Sequence, residues 1–322
     1  MAARQVGISG SALNSVKDAL QYRIVQGVIG IVRVMPDRLV RASGTLLGLA
    51  FYLFDGAHRK IAEYNLSVAF PGRSIGQRRT IARNVFKHFG RLLFELLKFG
   101  TLSPEAMLAR AEFEGEDRAR LAYAQGKGVL FFTGHFGFWE LHAIAHAARL
   151  QPIGVLARAL DNERLNAVLE QIRQHTGNTV IYRQGTIRRV MRMLHAGRGV
   201  ALLIDQHIQG RDAVHVDFFQ RPAATTSLLA ALALRTGAPV IPVFALPIGP
   251  GRYRMIYEHP VEPPRADSEE AIHEFTQRCT DVLEMYVRRH PHLWLWMHRR
   301  WRDDGPALES VPGLESGNWM IE

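Results

Sequence analysis

From about residue 128 onward, short apolar runs alternate with amphipathic stretches, a rhythm that few folds can satisfy. Val129–Thr133, Ile153–Ala157, Thr179–Tyr182, Val200–Ile204 and Pro239–Ala245 read as strands. Stretches near 138–149, 161–175, 186–196 and 224–236 read as helices between them. Strand–helix–strand repetition joins neighbouring strands by right-handed crossovers. The expected fold class is therefore α/β, with a largely parallel central sheet flanked by helices. His215–Phe219 and Tyr253–Tyr257 are expected to add strands at the sheet edges. Ile272, Phe275, Cys279, Val282, Leu283 and Tyr286 recur at helical spacing, which places the lone cysteine in a core-facing stripe.

The N-terminal part has a different pattern. One apolar run extends from Ile24 to Met35, interrupted by Gln26 and Arg33, and a second, uncharged, from Ala42 to Phe54. The second run is shorter than the roughly 20 residues a membrane-crossing helix needs. Arg38, Arg41 and Arg59 flank it, where lipid headgroups would lie. Residues 1–54 are expected to form membrane-associated helices, residues 55–304 the main domain, and residues 305–322 a loose tail. Pro71-Gly72 marks a turn, and Ser74 with Gln77 has capping-box spacing before a helix whose apolar stripe runs from Ala82 to Leu97.

Charge narrows the class of partner. The 322 residues hold 40 Lys+Arg and 30 Asp+Glu, a net charge of +10, which favours an anionic partner. No helix-turn-helix, zinc-finger or RNA-binding aromatic motif accompanies that charge, so nucleic acid is not expected. A single cysteine excludes a disulfide framework and a cysteine-based zinc module. His142 and His146 stand four apart on a helical stretch, but the chain has no HExxH motif and no evident third ligand, so neither metal nor cofactor is expected.

The chemistry concentrates in TGHFGFWELH at 133–142, directly after the expected strand Val129–Thr133. His135 and Glu140 are five apart and would diverge by about 140° on a continuous helix. They meet if His135 occupies the loop and Glu140 the first helical turns, a bend that Gly134 and Gly137 permit. The result would be an imidazole base oriented by a carboxylate, beside free backbone N–H groups for an oxyanion. Arg158 and Asp205-Gln206 follow two other expected strands. In a parallel sheet all three sets emerge at the carboxyl edge, where open α/β sheets bind ligands. Arg158 suits a phosphate or carboxylate, or else a surface ion pair with Asp161; Asp205 otherwise reads as a cap.

An ordered series of segments resembles the bacterial lipid A biosynthesis (late, lauroyl/myristoyl) acyltransferases of the lysophospholipid acyltransferase superfamily. These are Asn65-Leu66 with Ala69-Phe70-Pro71, GHFGFWE at 134–140, Arg158, Asp205-Gln206, FFQRPAATT at 218–226, TGAPVIPVF at 236–244 and PHLWLWMHRRW at 291–301. The resemblance implies a glycerolipid-acyltransferase-like fold, with His135 and Glu140 as the catalytic dyad of an HX4E motif. It places Arg158, Asp205 and Gln206 in the substrate-binding region. Gln220 departs from the pattern, which commonly has glycine after the two phenylalanines. The implied reaction moves a fatty acyl chain from a thioester of acyl carrier protein or coenzyme A to a hydroxyl of an anionic lipid, at the cytoplasmic face of the inner membrane. A histidine base that activates the acceptor hydroxyl needs no serine or cysteine nucleophile, so direct transfer is expected rather than a covalent acyl-enzyme. Alternatives are another glycolipid or a lysophospholipid as acceptor, or a non-enzymatic protein that binds anionic membranes. Trp294, Trp296 and Trp301, beside His298, Arg299 and Arg300, read either as an interfacial anchor or as core packing.

Overall fold

A computed structural model describes residues 6–182, 186–210, 212–263 and 266–302, with side chains from residue 16. The tail expected at 305–322 lies outside the described residues. Four helices come first: α1 (Val6–Val34), α2 (Asp37–Phe54), α3 (Gly56–Ala69) and α4 (Ile75–Phe99). A short α5 (Pro104–Leu108), β1 (Ala111–Glu114) and α6 (Glu116–Ala124) lead into the alternating region. That region runs β2 (Val129–Thr133), α7 (Trp139–Arg149), β3 (Gly154–Leu156), α8 (Glu163–Gln174), β4 (Thr179–Ile181), α9 (Thr186–His195) and β5 (Gly199–Leu203). A hairpin of β6 (Ala213–Asp217) and β7 (Pro222–Thr226) follows, then α10 (Leu228–Thr236), β8 (Val240–Gly249), β9 (Arg252–Tyr257) and α11 (Glu269–Arg289).

The seven-stranded sheet has the order β1-β9-β8-β2-β5-β3-β4. All its neighbouring pairs are parallel except β8–β9. Every residue of β2 is buried, as a central strand covered on both faces requires. Leu130 and Phe132 pack into the cluster shared with α3, α4, α10 and α11. Val129 and Phe131 enter a cluster on the other face, with Ala119, Ala122 and Ala143.

Two strand expectations are corrected. The segment around His215–Phe219 pairs antiparallel with β7 in a separate two-stranded sheet. The β9 strand is interior, because β1, which sequence pattern did not reveal, lies outside it. The helix expected at 224–236 begins at Leu228, since Pro222–Thr226 is spent on the hairpin. The capping box at Ser74 and Gln77 forms in full, and Cys279 is buried on α11.

The N-terminal helices dock on the body along one side. Gly44 and Gly48 of α2 meet Gly90 of α4 so closely that a Cβ at Gly48 would lie 2.1 Å from the Phe86 carbonyl oxygen. The buried Lys98 amine of α4 donates to the Val32, Arg33 and Met35 carbonyls (3.1, 2.8 and 3.1 Å), closing the C-terminal end of α1. The opposite face carries exposed apolar side chains. Ten of the fourteen exposed large hydrophobics among the described side chains fall between Val16 and Phe54, with Val34 at 82% and Phe54 at 87%. Among the described residues no helix is long and apolar enough to cross a membrane. Two of the flanking arginines are used by the protein itself. Arg41 donates to the Gly249 carbonyl at 2.9 Å, and Arg59 to those of Tyr52 and Leu53 at 2.5 and 3.1 Å.

Candidate active site

Strand pairing brings the chemistry together. Thr133 of β2 stands opposite Leu203 of β5 in parallel register, so the residues two further on, His135 and Asp205, leave the same edge side by side. The imidazole Nδ1 lies 2.9 Å from Asp205 Oδ1, and the His135 backbone N–H donates to Oδ2 at 2.7 Å. Gly134 allows this approach: a Cβ there would fall 2.8 Å from Asp205 Oδ2. The Trp294 indole N–H completes the carboxylate, donating to Oδ2 at 2.8 Å. Burial opposes ionisation of Asp205, but the His135 ring and these N–H donors outweigh it and bring the pKa down to about 2.

A charged Asp205 against Nδ1 selects the tautomer with its proton on Nδ1, leaving Nε2 to accept a proton. The Trp139 ring stands edge-on to the imidazole, with centroids 5.1 Å apart, and limits its rotation. The arrangement is a histidine oriented by a buried carboxylate, assembled from loops after two adjacent parallel strands.

Glu140 occupies the first turn of α7, as expected, but does not orient the imidazole through Nδ1. Its two oxygens take the Arg173 guanidinium of α8 as a fork, at 2.9 and 2.5 Å. Burial raises the cost of charging Glu140, and Arg173 more than compensates, so its carboxyl stays below the usual range; the His135 charge adds a smaller pull in the same direction. Arg173 Nη1 is buried with no hydrogen-bond partner among the described residues. The free loop amides expected near His135 are also reassigned. The N–H groups of 135, 136, 137 and 138 donate to Asp205, Gly134, Leu293 and Ala245 respectively. Gly137 makes the last turn possible with φ +60°.

Arg158 emerges at the same carboxyl edge after β3, half exposed, 3.8 Å from Asp161. Gln206 contributes its backbone carbonyl to Arg300 at 3.4 Å. The metalloenzyme alternative finds no support in the geometry of its histidines. His146 sits between the Tyr123 and Tyr257 hydroxyls, each 2.9 Å away. Among the described residues no group of three potential ligands could hold a metal ion.

The segment 293–301 forms the roof of the site. Leu295 N–H donates to the His135 carbonyl at 3.1 Å, and Phe136 bridges to Trp294. Trp294, Trp296, Arg300 and Trp301 are all at most 4% exposed, so they pack in the core and the anchor reading is overturned. Asn65 ties this roof to α3, donating to the Trp296 and His298 carbonyls at 2.8 and 2.7 Å. The Arg300 guanidinium braces the hairpin through the Ala224 carbonyl at 2.6 Å and the Thr225 hydroxyl. Burial presses the His298 pKa down to about 3, against the pull of the Asp205 carboxylate, so that ring remains neutral near the site. Trp294 and Arg300 lay within a motif visible in the sequence, but with no sign of which way they pointed. Arg173 gave no signal, because its link to Glu140 spans 33 residues with no local pattern.

A histidine–carboxylate pair thus stands at the carboxyl edge of a mostly parallel sheet, an arrangement chemically able to take a proton from a nucleophile. The family model of bacterial lipid A biosynthesis acyltransferases matches residues 14–303, and the chain belongs to that family. It is an acyltransferase. A lipid A biosynthesis lauroyltransferase of Escherichia coli K12 is 28% identical over 280 residues, covering 86% of this chain and 89% of that protein. A lipid A biosynthesis myristoyltransferase of the same organism is 24% identical, covering 74% and 73%. A phosphatidylinositol mannoside acyltransferase of Mycobacterium tuberculosis is 24% identical, covering 67% and 68%.

Proposed function

We propose that this chain transfers a fatty acyl group from an acyl thioester, carried by acyl carrier protein or coenzyme A, to a hydroxyl of a lipid A precursor, with His135 as general base. The observation that carries the reading is the His135 Nδ1–Asp205 Oδ1 contact at 2.9 Å, which dedicates Nε2 to a proton from outside. Nε2 takes the hydroxyl proton as that oxygen bonds to the thioester carbonyl carbon. The tetrahedral oxyanion then collapses, the carbon–sulfur bond breaks, and the leaving thiolate takes the proton back from the imidazolium. Asp205 orients the ring and balances the imidazolium charge. Base catalysis of this kind contributes about 10²–10⁴-fold. The Arg173–Glu140 pair holds α8 against α7 beside the base, and Arg158 meets anionic substrate groups at the mouth of the edge.

The exposed apolar face of α1 and α2, with Arg33 and Arg38 exposed beside it, supports attachment to a membrane surface. Lipid acceptor and acyl product both reside there, so we assign the catalytic domain to the cytoplasmic face of the inner membrane.

The test supplies acyl carrier protein and coenzyme A thioesters separately to the purified chain with a lipid A precursor, and follows product mass. One added acyl chain, lost in a folded His135→Ala variant, is the expected result. A near wild-type rate in that variant would overturn the mechanism. Transfer only to a phosphatidylinositol mannoside or a lysophospholipid would overturn the acceptor.

A further inference from the structure

The end of α3, the β6–β7 turn and the last turns of α11 enclose an open groove of about 620 Å³, apart from the catalytic edge. Its volume falls within the range of about 300–1,000 Å³ typical of small-molecule sites. The floor is apolar, built from Val68, Ala69, Pro71 and the Phe219 ring, while Arg221, Arg288 and Gln220 stand at the rim. Among the described residues no acidic side chain lines it.

Two features distinguish this rim from ordinary basic surface. The first is orientation. The Arg288 guanidinium lies over the Phe219 ring at 4.3 Å, and Arg73, just past Pro71, lies over the Phe70 ring at 4.3 Å. Contact with a ring holds each guanidinium in place, and guanidinium N–H groups suit phosphate oxygens. Arg288 gives Nε and Nη2 to Glu284 Oε1, each at 2.6 Å, which leaves Nη1 for a ligand, whereas neither Arg73 nor Arg221 has an ion-pair partner among the described residues.

The second feature is the β6–β7 turn, a two-residue hairpin loop in which Phe218 N–H donates to the Arg221 carbonyl at 2.8 Å and Arg221 N–H to that of Phe218 at 3.3 Å. The turn between β6 and β7 holds Phe219 at φ +56° and Gln220 at φ +60°, the left-handed region that favours glycine. The buried Phe219 ring packs on Trp296 with centroids 5.7 Å apart, which accounts for a side chain at that position. Gln220 is exposed, and its side chain borders the groove and nothing in the core. The turn therefore sets the Gln220 amide beside Arg221 and Arg288 at the rim of the groove.

We propose that this groove binds the phosphate-bearing headgroup of an anionic phospholipid. Arg221, Arg288 and Gln220 hold the phosphate oxygens, and Val68, Pro71 and Phe219 receive the glycerol and the first chain carbons. The proposal does not depend on the acyl-transfer reaction assigned above.

The test titrates the full chain calorimetrically with dihexanoyl phosphatidylglycerol below its micelle concentration, with the matching phosphatidylcholine, and with inorganic phosphate. Phosphatidylglycerol should bind about 10-fold more tightly than either of the others, and Arg221→Gln/Arg288→Gln should lose about that factor. Gln220→Gly relieves the turn and keeps the fold, which thermal unfolding checks, yet should weaken binding by a smaller factor. Arg221→Gln alone serves if the double variant unfolds. Equal binding of phosphatidylglycerol and phosphatidylcholine, or unchanged binding in the arginine variants, overturns the proposal. Inorganic phosphate binding as tightly as the lipid overturns the lipid source. Loss of binding to an acidic carrier protein with lipid binding intact assigns the rim to a protein instead and also overturns it. Acyl transfer is measured separately, so a failed reaction assignment leaves this result readable.

Discussion

The proposed catalytic edge and the outer face of the N-terminal helices are built on opposite terms. At the edge, His135, Glu140 and Asp205 are at most 8% exposed, and the carboxylates are engaged by defined donors. On α1 and α2 the outer face carries apolar side chains such as Leu46 and Leu53 at 67% and 65% exposure. Burial makes polar groups choose fixed partners, because an unpaired one costs about 1–3 kcal/mol. Exposure of apolar groups leaves a surface whose burial requires something outside the chain. One region is preorganised by the core; the other presents apolar surface that the described residues leave uncovered.

If this contrast is right, variants of the two regions should separate catalysis from attachment. The largest effect belongs to His135→Ala, which should cut transfer by on the order of 10²–10⁴ while vesicle binding stays as in wild type. Asp205→Asn comes next: losing the charge that fixes the tautomer should cost on the order of 10²–10³-fold in kcat, less than loss of the ring itself. Its effect should be strongly non-additive with His135→Ala, because base and orienting group act as one unit. Asp205→Asn should also change acid stability. The Asp205 pKa is depressed to about 2 in the folded chain, so the stability it contributes is full above its ordinary value of 3.8 and is lost as pH falls through about 2. Unfolding curves of the asparagine variant should lack that part of the acid limb.

Arg173→Gln probes the edge without touching the base. It leaves the Glu140 charge buried and unpaired, a loss of about 3–5 kcal/mol in a well-buried pair, and denaturant titration reads it directly. A loss under about 1 kcal/mol would mean that water already reaches the pair.

Attachment should answer to the other region. Leu46→Glu with Phe54→Glu should release much of the chain from anionic vesicles in sedimentation while leaving the rate on a dispersed acceptor within about two-fold, since exposed sites cost little stability. Undiminished sedimentation would exclude this face as the anchor. The smallest effect is expected at Arg158→Lys, a few-fold rise in KM, because a half-exposed ammonium replaces only part of a guanidinium fork.

The sequence by itself determined what depends on short-range pattern. The β2 strand at Val129–Thr133 was legible because five consecutive apolar or β-branched residues suit a strand buried on both faces. The Ser74 capping box was legible because both of its partners lie within one turn. The placement of His135 and Asp205 at one edge followed from where the strands end. Tertiary structure decided what depends on pairing between distant segments. It gave the imidazole to Asp205, 70 residues away, rather than to the neighbouring Glu140, because β5 and not the start of α7 is the hydrogen-bonded neighbour of β2. It turned Trp294, Trp296 and Trp301 inward, since amphipathic rings carry no local mark of the side they will bury. It also put β1 outside β9, which no period in four residues could have announced. Local pattern fixes which segments become strands and helices, whereas partner choice in a buried site is a competition among all groups that the fold brings within reach.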